Sequence, residues 1–282
     1  MKFNNRRPTF VIHPTLILFF VIALVTGTFI QFAIIIAIVF MHECGHFLAA
    51  KWFNWRINAV ILWAFGGVMA TDEDESRPLK EEVIVTLAGP LQHVIIFGAV
   101  QLFHWFGIMS DYLYETAILL NSVIFLFNLL PIYPLDGGKL LKASLSGFLP
   151  FRKSYQFSLL FSMLVCLGII ILQLTVLPFT FTAFFIMVFL LIELYRYWKH
   201  EYFTFIRFLL HRTAHGKNAK KTGRIFVTDK DRFIDVFNRF KKNVYYYVYI
   251  TPEFYVSETD FLQMFFYGQP HDLTVREVYL KR

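Results

Sequence analysis

The sequence predicts a polytopic α-helical membrane protein, with six transmembrane helices and a small cytoplasmic α/β domain at its C-terminal end. Three observations carry that expectation. Of 282 residues, 57% are hydrophobic and only 17% charged, with a mean hydropathy of +0.53; a soluble chain is about 45–50% apolar and about 25% charged. Six apolar stretches run roughly over 10–26, 29–50, 83–106, 112–130, 157–174 and 176–194. From Lys199 onward there are 15 Lys+Arg against 9 Asp+Glu, or +6 of the chain's +7. A single soluble domain, a disordered chain and a collagen-like scaffold are excluded. Cys44 and Cys166 both lie in apolar runs, so no disulfide framework is expected.

Several of the stretches reach the roughly 20 residues that cross about 30 Å of hydrocarbon. The first follows Lys2, Arg6 and Arg7 and is read as a retained helix, because no small-x-small cleavage site follows it. The 51–82 loop carries Lys51, Arg56, Arg77 and Lys80, and the 137–154 loop carries Lys139, Lys142, Arg152 and Lys153. The short loops between them lack Lys and Arg. The bias puts the N-terminus, both long loops and the C-terminus on the cytoplasmic side of a bacterial membrane.

The expected organisation is a membrane domain over 1–198, a basic linker over 199–222 and an α/β domain over 223–282. Arg212, Lys217, Lys220, Lys221 and Arg224 form an acid-free patch, expected to lie against anionic lipid rather than nucleic acid. Arg224–Val227 and Val244–Ile250 read as strands. Phe233, Val236, Phe237 and Phe240 share one helical face. Ser257 with Asp260, and Thr274 with Glu277, can cap two further helices.

Chemistry concentrates in the second span, at His42-Glu43-Cys44-Gly45-His46. Residues i and i+4 share a helix face, so both histidines can hold one Zn²⁺ while Glu43 takes a proton from an activated water. Ionisable residues within an apolar span are costly and signal function; the bland alternative is a pair of interfacial histidines. A catalytic zinc needs a third protein ligand. Asp136 is the best candidate, in Asn128-Leu-Leu-Pro-Ile-Tyr-Pro-Leu-Asp136-Gly-Gly, where two prolines break the helix and two glycines free the backbone. Taken alone, Pro-x-Asp-Gly-Gly is a turn.

These residues resemble the site-2 protease family of intramembrane zinc metalloproteases. The resemblance rests on the His42–His46 and Asn128–Gly138 motifs, on Ala88-Gly89-Pro90, and on their order across the spans. It implies His42, His46 and Asp136 as ligands to one zinc, Glu43 as general base, and Asn128 as a donor to substrate or oxyanion. Phe65, Gly66 and Gly67 would belong to the family's membrane-inserted hairpin, whose edge can pair with an extended peptide; an ordinary hairpin is the plain alternative. His93 stands where many relatives have Asn. It reads as a satisfied buried histidine that can also compete as a ligand. His13 and His104 read as structural.

The spans and tail look nearest to the family's sporulation members. That implies a membrane-associated sigma-factor precursor as substrate, inhibitory membrane-protein partners, and a location in the mother-cell membrane around the forespore. The tail from about Gly223 resembles a single cystathionine-β-synthase (CBS) domain. That resemblance implies association of two chains and ATP as a regulator, with Thr274 and Glu277 at the ribose position, although Glu277 replaces the usual Asp. The alternative function is a metal transporter or sensor using the same His/Asp site. Glu43 discriminates, since a transit site needs no acid there.

Overall fold

The structure is a computed structural model that describes residues 9–12, 14–63, 66–71, 77–176, 178–215, 221–268 and 274–280. The chain divides into two compact units. The first holds everything described up to Thr71, the chain from Lys80 to Pro131, and residues 135–139. The second holds residues 77–79 and 132–134 and the chain from Leu140 onward.

Among the described residues the first unit opens with a strand, β1 (Thr9–Ile12), and a short helix, α1 (Pro14–Val25). The helix at the expected first span is shorter than the apolar stretch that predicts it. Proline starts a helix readily and is unfavourable inside one, and β1 pairs in parallel with β2 (Ile57–Trp63). The remaining 12 helical residues reach about 18 Å at 1.5 Å each, short of the hydrocarbon thickness. α2 (Phe29–Trp52), α3 (Leu79–Trp105) and α4 (Asp111–Leu129) are long and apolar enough to cross a membrane. With α6 and α7 below, that makes five such helices among the described residues, where six were expected.

Between α2 and α3 lies a hairpin of β2 and β3 (Gly66–Thr71). The strands are antiparallel, with Leu62 opposite Gly67 and Trp63 opposite Gly66. In the order β1-β2-β3, the glycine-bearing strand is an edge. Phe65, expected at the hairpin tip, lies outside the described residues, as does His13.

Burial in the helices is inverted relative to a soluble protein. On α2 the buried residues are Ile38, His42, Gly45, His46 and Ala50, whereas Phe40, Met41 and Leu48 are exposed. α4 buries Ala117 and Asn121 while Leu119, Val123 and Leu126 face outward. Small and polar residues let helices approach closely inside, and lipid tails solvate the rest.

The second unit contains most of α5 (Asp136–Ser146), then α6 (Phe151–Thr175) and α7 (Phe181–Lys199). α6 buries Ser154, Ser158 and Ser162 completely, one per turn on the same face. Ser162 Oγ accepts the Tyr133 backbone N–H at 2.9 Å, which fixes the proline-rich turn before α5.

The expected linker is an element of the core. Residues 201–215 form α8, whose Phe205, Phe208 and Leu209 are buried with Phe151 of α6 and the tail's own core. Arg212 belongs to neither a lipid-facing patch nor a loose tether. Its guanidinium is buried on Glu258, donating to Oε2 at 2.8 Å and to the carbonyls of Lys241 and Lys242 at 3.0 Å each. The apolar stripe of α8 needs a cover, and the tail supplies it. Lys217 and Lys220 lie outside the described residues.

The tail follows the expected pattern: β4 (Lys221–Phe226), α9 (Phe233–Phe237), β5 (Val244–Tyr249), β6 (Tyr255–Ser257), α10 (Glu258–Gly268) and α11 (Val275–Leu280). β4 and β5 are parallel, and β6 is antiparallel to β5. Phe233, Val236, Phe237, Phe240, Val248 and Phe261 form its core. Ser257 caps α10, accepting the Asp260 N–H at 3.2 Å.

Candidate metal centre

α2 places His42 and His46 one turn apart, on the face turned away from lipid. Their Nε2 atoms are 3.0 Å apart. Asp136, the first residue of α5, brings its Oδ2 to 3.2 Å from each of them. All three side chains are buried, and Lys139 Nζ stands 3.8 Å from the other oxygen of Asp136. This is the only group of three metal-capable side chains among the described residues.

Glycines make this convergence possible. A Cβ on Gly89 of α3 would run into the His46 ring, and one on Gly45 of α2 would lie 2.9 Å from the Ala88 carbonyl carbon. At Gly137 a Cβ would strike the carbonyls of Leu129 and Leu130. The Ala88-Gly89-Pro90 and Asp136-Gly137-Gly138 motifs are therefore the contact surfaces that let the three side chains meet.

Hydrogen bonding fixes what the nitrogens present. His46 Nδ1 lies 2.8 Å from the Val85 carbonyl, which can only accept, so in the neutral ring Nε2 carries a lone pair. His42 Nδ1 lies 3.1 Å from His93 Nε2 and is turned away from Asp136 in the same sense. Asp136 Oδ2 is buried without a hydrogen-bond donor. Three acceptors facing one point at close range repel one another unless a cation sits among them. Two imidazole nitrogens and a carboxylate oxygen suit Zn²⁺, with room in its shell for a water. The donor set fits the metal.

Glu43 is half-buried and lies beside His42 on α2. Asn128 lies near the end of α4, where its Nδ2 donates to the Ile124 carbonyl at 3.1 Å. Gly66 and Gly67 lie on the β3 edge. His93 is completely buried and outside the ligand group, with its Nε2 turned to His42. His104 stacks on Tyr114 at 4.2 Å, a packing role as expected. Thr274 and Glu277 bond each other in a capping box, with Thr274 N–H donating to Glu277 at 2.9 Å and Glu277 N–H to Thr274 Oγ1 at 3.3 Å. Asn121 was missed by the sequence reading. Its signal was a polar amide in mid-span, two turns before Asn128 on the same helix.

The fold and site define a multi-pass membrane protein with a metallohydrolase centre among its helices. The family model for peptidase family M50 matches residues 30–110 and 103–171. The chain is 36% identical over 233 residues to stage IV sporulation protein FB of Bacillus subtilis, covering 82% of this chain and 81% of that one. It is 34% identical over 154 residues to the zinc metalloprotease MJ0392 of Methanocaldococcus jannaschii, covering 51% of this chain and 44% of that one. The solved site-2 protease from Methanocaldococcus jannaschii superposes with a TM-score of 0.54 at 27% identity, covering 66% of this chain and 89% of that one. The chain belongs to peptidase family M50, and it is a metalloprotease.

Proposed function

We propose that this protein hydrolyses a peptide bond of a membrane-associated protein at the membrane, using one zinc ion. The observation that carries the reading is the buried convergence of His42 Nε2, His46 Nε2 and Asp136 Oδ2. Zinc held there by His42, His46 and Asp136 would supply Lewis acidity, which lowers the pKa of a water to about 7. Glu43 takes the proton of the attacking water on its carboxylate and returns it to the leaving amine nitrogen. The Asn128 amide nitrogen has two hydrogens, so it can keep its bond to Ile124 and donate the other to the developing oxyanion. The edge of β3 offers backbone groups to an extended substrate. An extended strand exposes the carbonyls that a helix hides.

The substrate in this reading is a sigma-factor precursor whose pro-sequence is removed during sporulation. The support is the similarity to the sporulation protein over four-fifths of both chains. In this reading the basic 51–82 and 137–154 loops and the tail face the cytoplasm. There the CBS-like tail docks the precursor and associates with a second copy, and membrane proteins restrain the enzyme. ATP is left out, because Thr274 and Glu277 spend their hydrogen bonds on each other. The test is co-expression of the wild type or Glu43→Gln with membrane-tethered precursors. Shortened product with the wild type alone is expected; product with both ends the assignment.

A further inference from the structure

We propose that His93 and Asn121 are positioning residues that set the tautomer of His42, and thereby its capacity to bind metal. The inference rests on the peptidase reading in one respect, that the ion is zinc.

Asn121 Nδ2 donates to the His93 carbonyl at 3.1 Å. The opposite amide orientation would set two acceptors against each other there. Asn121 Oδ1 therefore faces His93 Nδ1, at 2.7 Å. A carboxamide oxygen only accepts, so His93 Nδ1 carries the hydrogen. In the neutral ring His93 Nε2 is then a lone pair, and it faces His42 Nδ1 at 3.1 Å. That contact is a hydrogen bond only if His42 Nδ1 donates. His42 Nε2 is left as a lone pair turned toward Asp136.

The two metal-binding histidines are thus oriented by different means. His46 relies on the Val85 main-chain carbonyl, which no substitution at a side chain removes. His42 relies on a side-chain chain that runs from α2 through α3 to α4. His93 and Asn121 are both completely buried, and Phe125 of α4 packs on the His93 ring with centroids 5.5 Å apart. No solvent takes over if a member is lost. Without Asn121, the His93 proton is free to move to Nε2. His42 would then have to accept on Nδ1 and carry its own proton on Nε2, where the metal belongs. Partners of this kind typically change metal affinity about 10–100-fold.

The experiment titrates zinc into chelator-stripped full-length protein in detergent, against a chromophoric competitor. The variants are His93→Phe, His93→Gln and Asn121→Leu, with His46→Ala as a control. Asn121→Leu leaves the His93 ring in place, so it keeps the test sound if His93→Phe fails to fold. Zinc affinity is expected to fall about 10–100-fold in His93→Phe and Asn121→Leu. In His93→Gln it should recover most of that loss, because the Gln amide oxygen can accept from His42 Nδ1. Wild-type affinity in His93→Phe or, should that variant not fold, in Asn121→Leu overturns the proposal. So does an equal loss in His93→Gln and His93→Phe, which would mark the residue as packing alone. If His46→Ala binds zinc as tightly as the wild type, the metal-site reading itself fails, and that outcome is separate.

Discussion

Gly89 of α3 stands so close to the ligands on α2 that a Cβ there would lie 2.8 Å from Cε1 of His42 and inside the contact distance of the His46 ring. The glycine is a spacing device, since it sets how near the two helices come. Overpacking of this kind costs about 1–3 kcal/mol where a neighbour can shift. Here the neighbours that must shift are His42 and His46, the proposed metal ligands. Gly89→Ala is expected to weaken zinc binding by at least about tenfold while the protein still inserts and purifies. Metal content by mass spectrometry, with a membrane-fraction blot for insertion, checks it.

Base and ligand separate cleanly by metal content. Glu43→Gln preserves size and leaves the three converging atoms in place. It is expected to retain about one zinc per chain and lose cleavage, since general-base catalysis alone is worth roughly 100-fold or more. Asp136→Asn removes the only carboxylate of the ligand set and the charge that offsets zinc. It is expected to lose both. Full zinc occupancy in Asp136→Asn would show that the third ligand is another residue.

The converging His42, His46 and Asp136 were legible in the sequence because burying charge in an apolar span leaves a conspicuous mark. His42, Glu43 and His46 needed only helical spacing. Asp136 needed the prolines and glycines around it. His93 and Asn121 were harder, because their partners come from three separate helices and no spacing rule links them. The short length of the first helix was hidden for a different reason. Hydropathy over 10–26 measures transfer to lipid and is blind to β1 pairing with β2, a contact some fifty residues away. The helix over 201–215 was hard to read because its basic residues stand out and its apolar stripe is interleaved with them. Phe205, Phe208, Leu209 and Arg212 recur at helical intervals and all turn inward.

That buried Arg212 makes a stability prediction. Glu258 is completely buried, accepts Arg212 Nη2 at 2.8 Å and also accepts the Tyr246 backbone N–H at 2.8 Å. Removing one member of such a pair strands the other charge, at about 3–5 kcal/mol. Glu258→Ala is expected to destabilise the tail by that order and to open it to protease, while zinc content stays at the wild-type level. Limited proteolysis with a C-terminal tag locates the cuts. Cuts confined to the ends of the chain would show that the pair is dispensable.

Removing the tail is the sharpest test of what it contributes. His42, His46 and Asp136 all lie within the first unit, and the tail lies wholly within the second. Deleting residues 223–282 should therefore leave zinc binding near one per chain. The core shared by α6, α8 and the tail changes the rest of the expectation. Phe151, Phe205, Phe208 and Leu209 lose their cover together, and each large apolar side chain returned to water costs about 1.5–3 kcal/mol. The truncated chain should thus be cut by protease within 201–215, where the whole chain resists, and should cleave a full-length precursor poorly. A short peptide spanning the scissile bond separates two causes. Peptide cleavage retained with precursor cleavage lost would point to docking on the tail. Loss of both, with zinc in place, would mean that α8 and the tail act through the integrity of the second unit. Equal precursor cleavage by the truncated and whole chains would remove the tail from the mechanism.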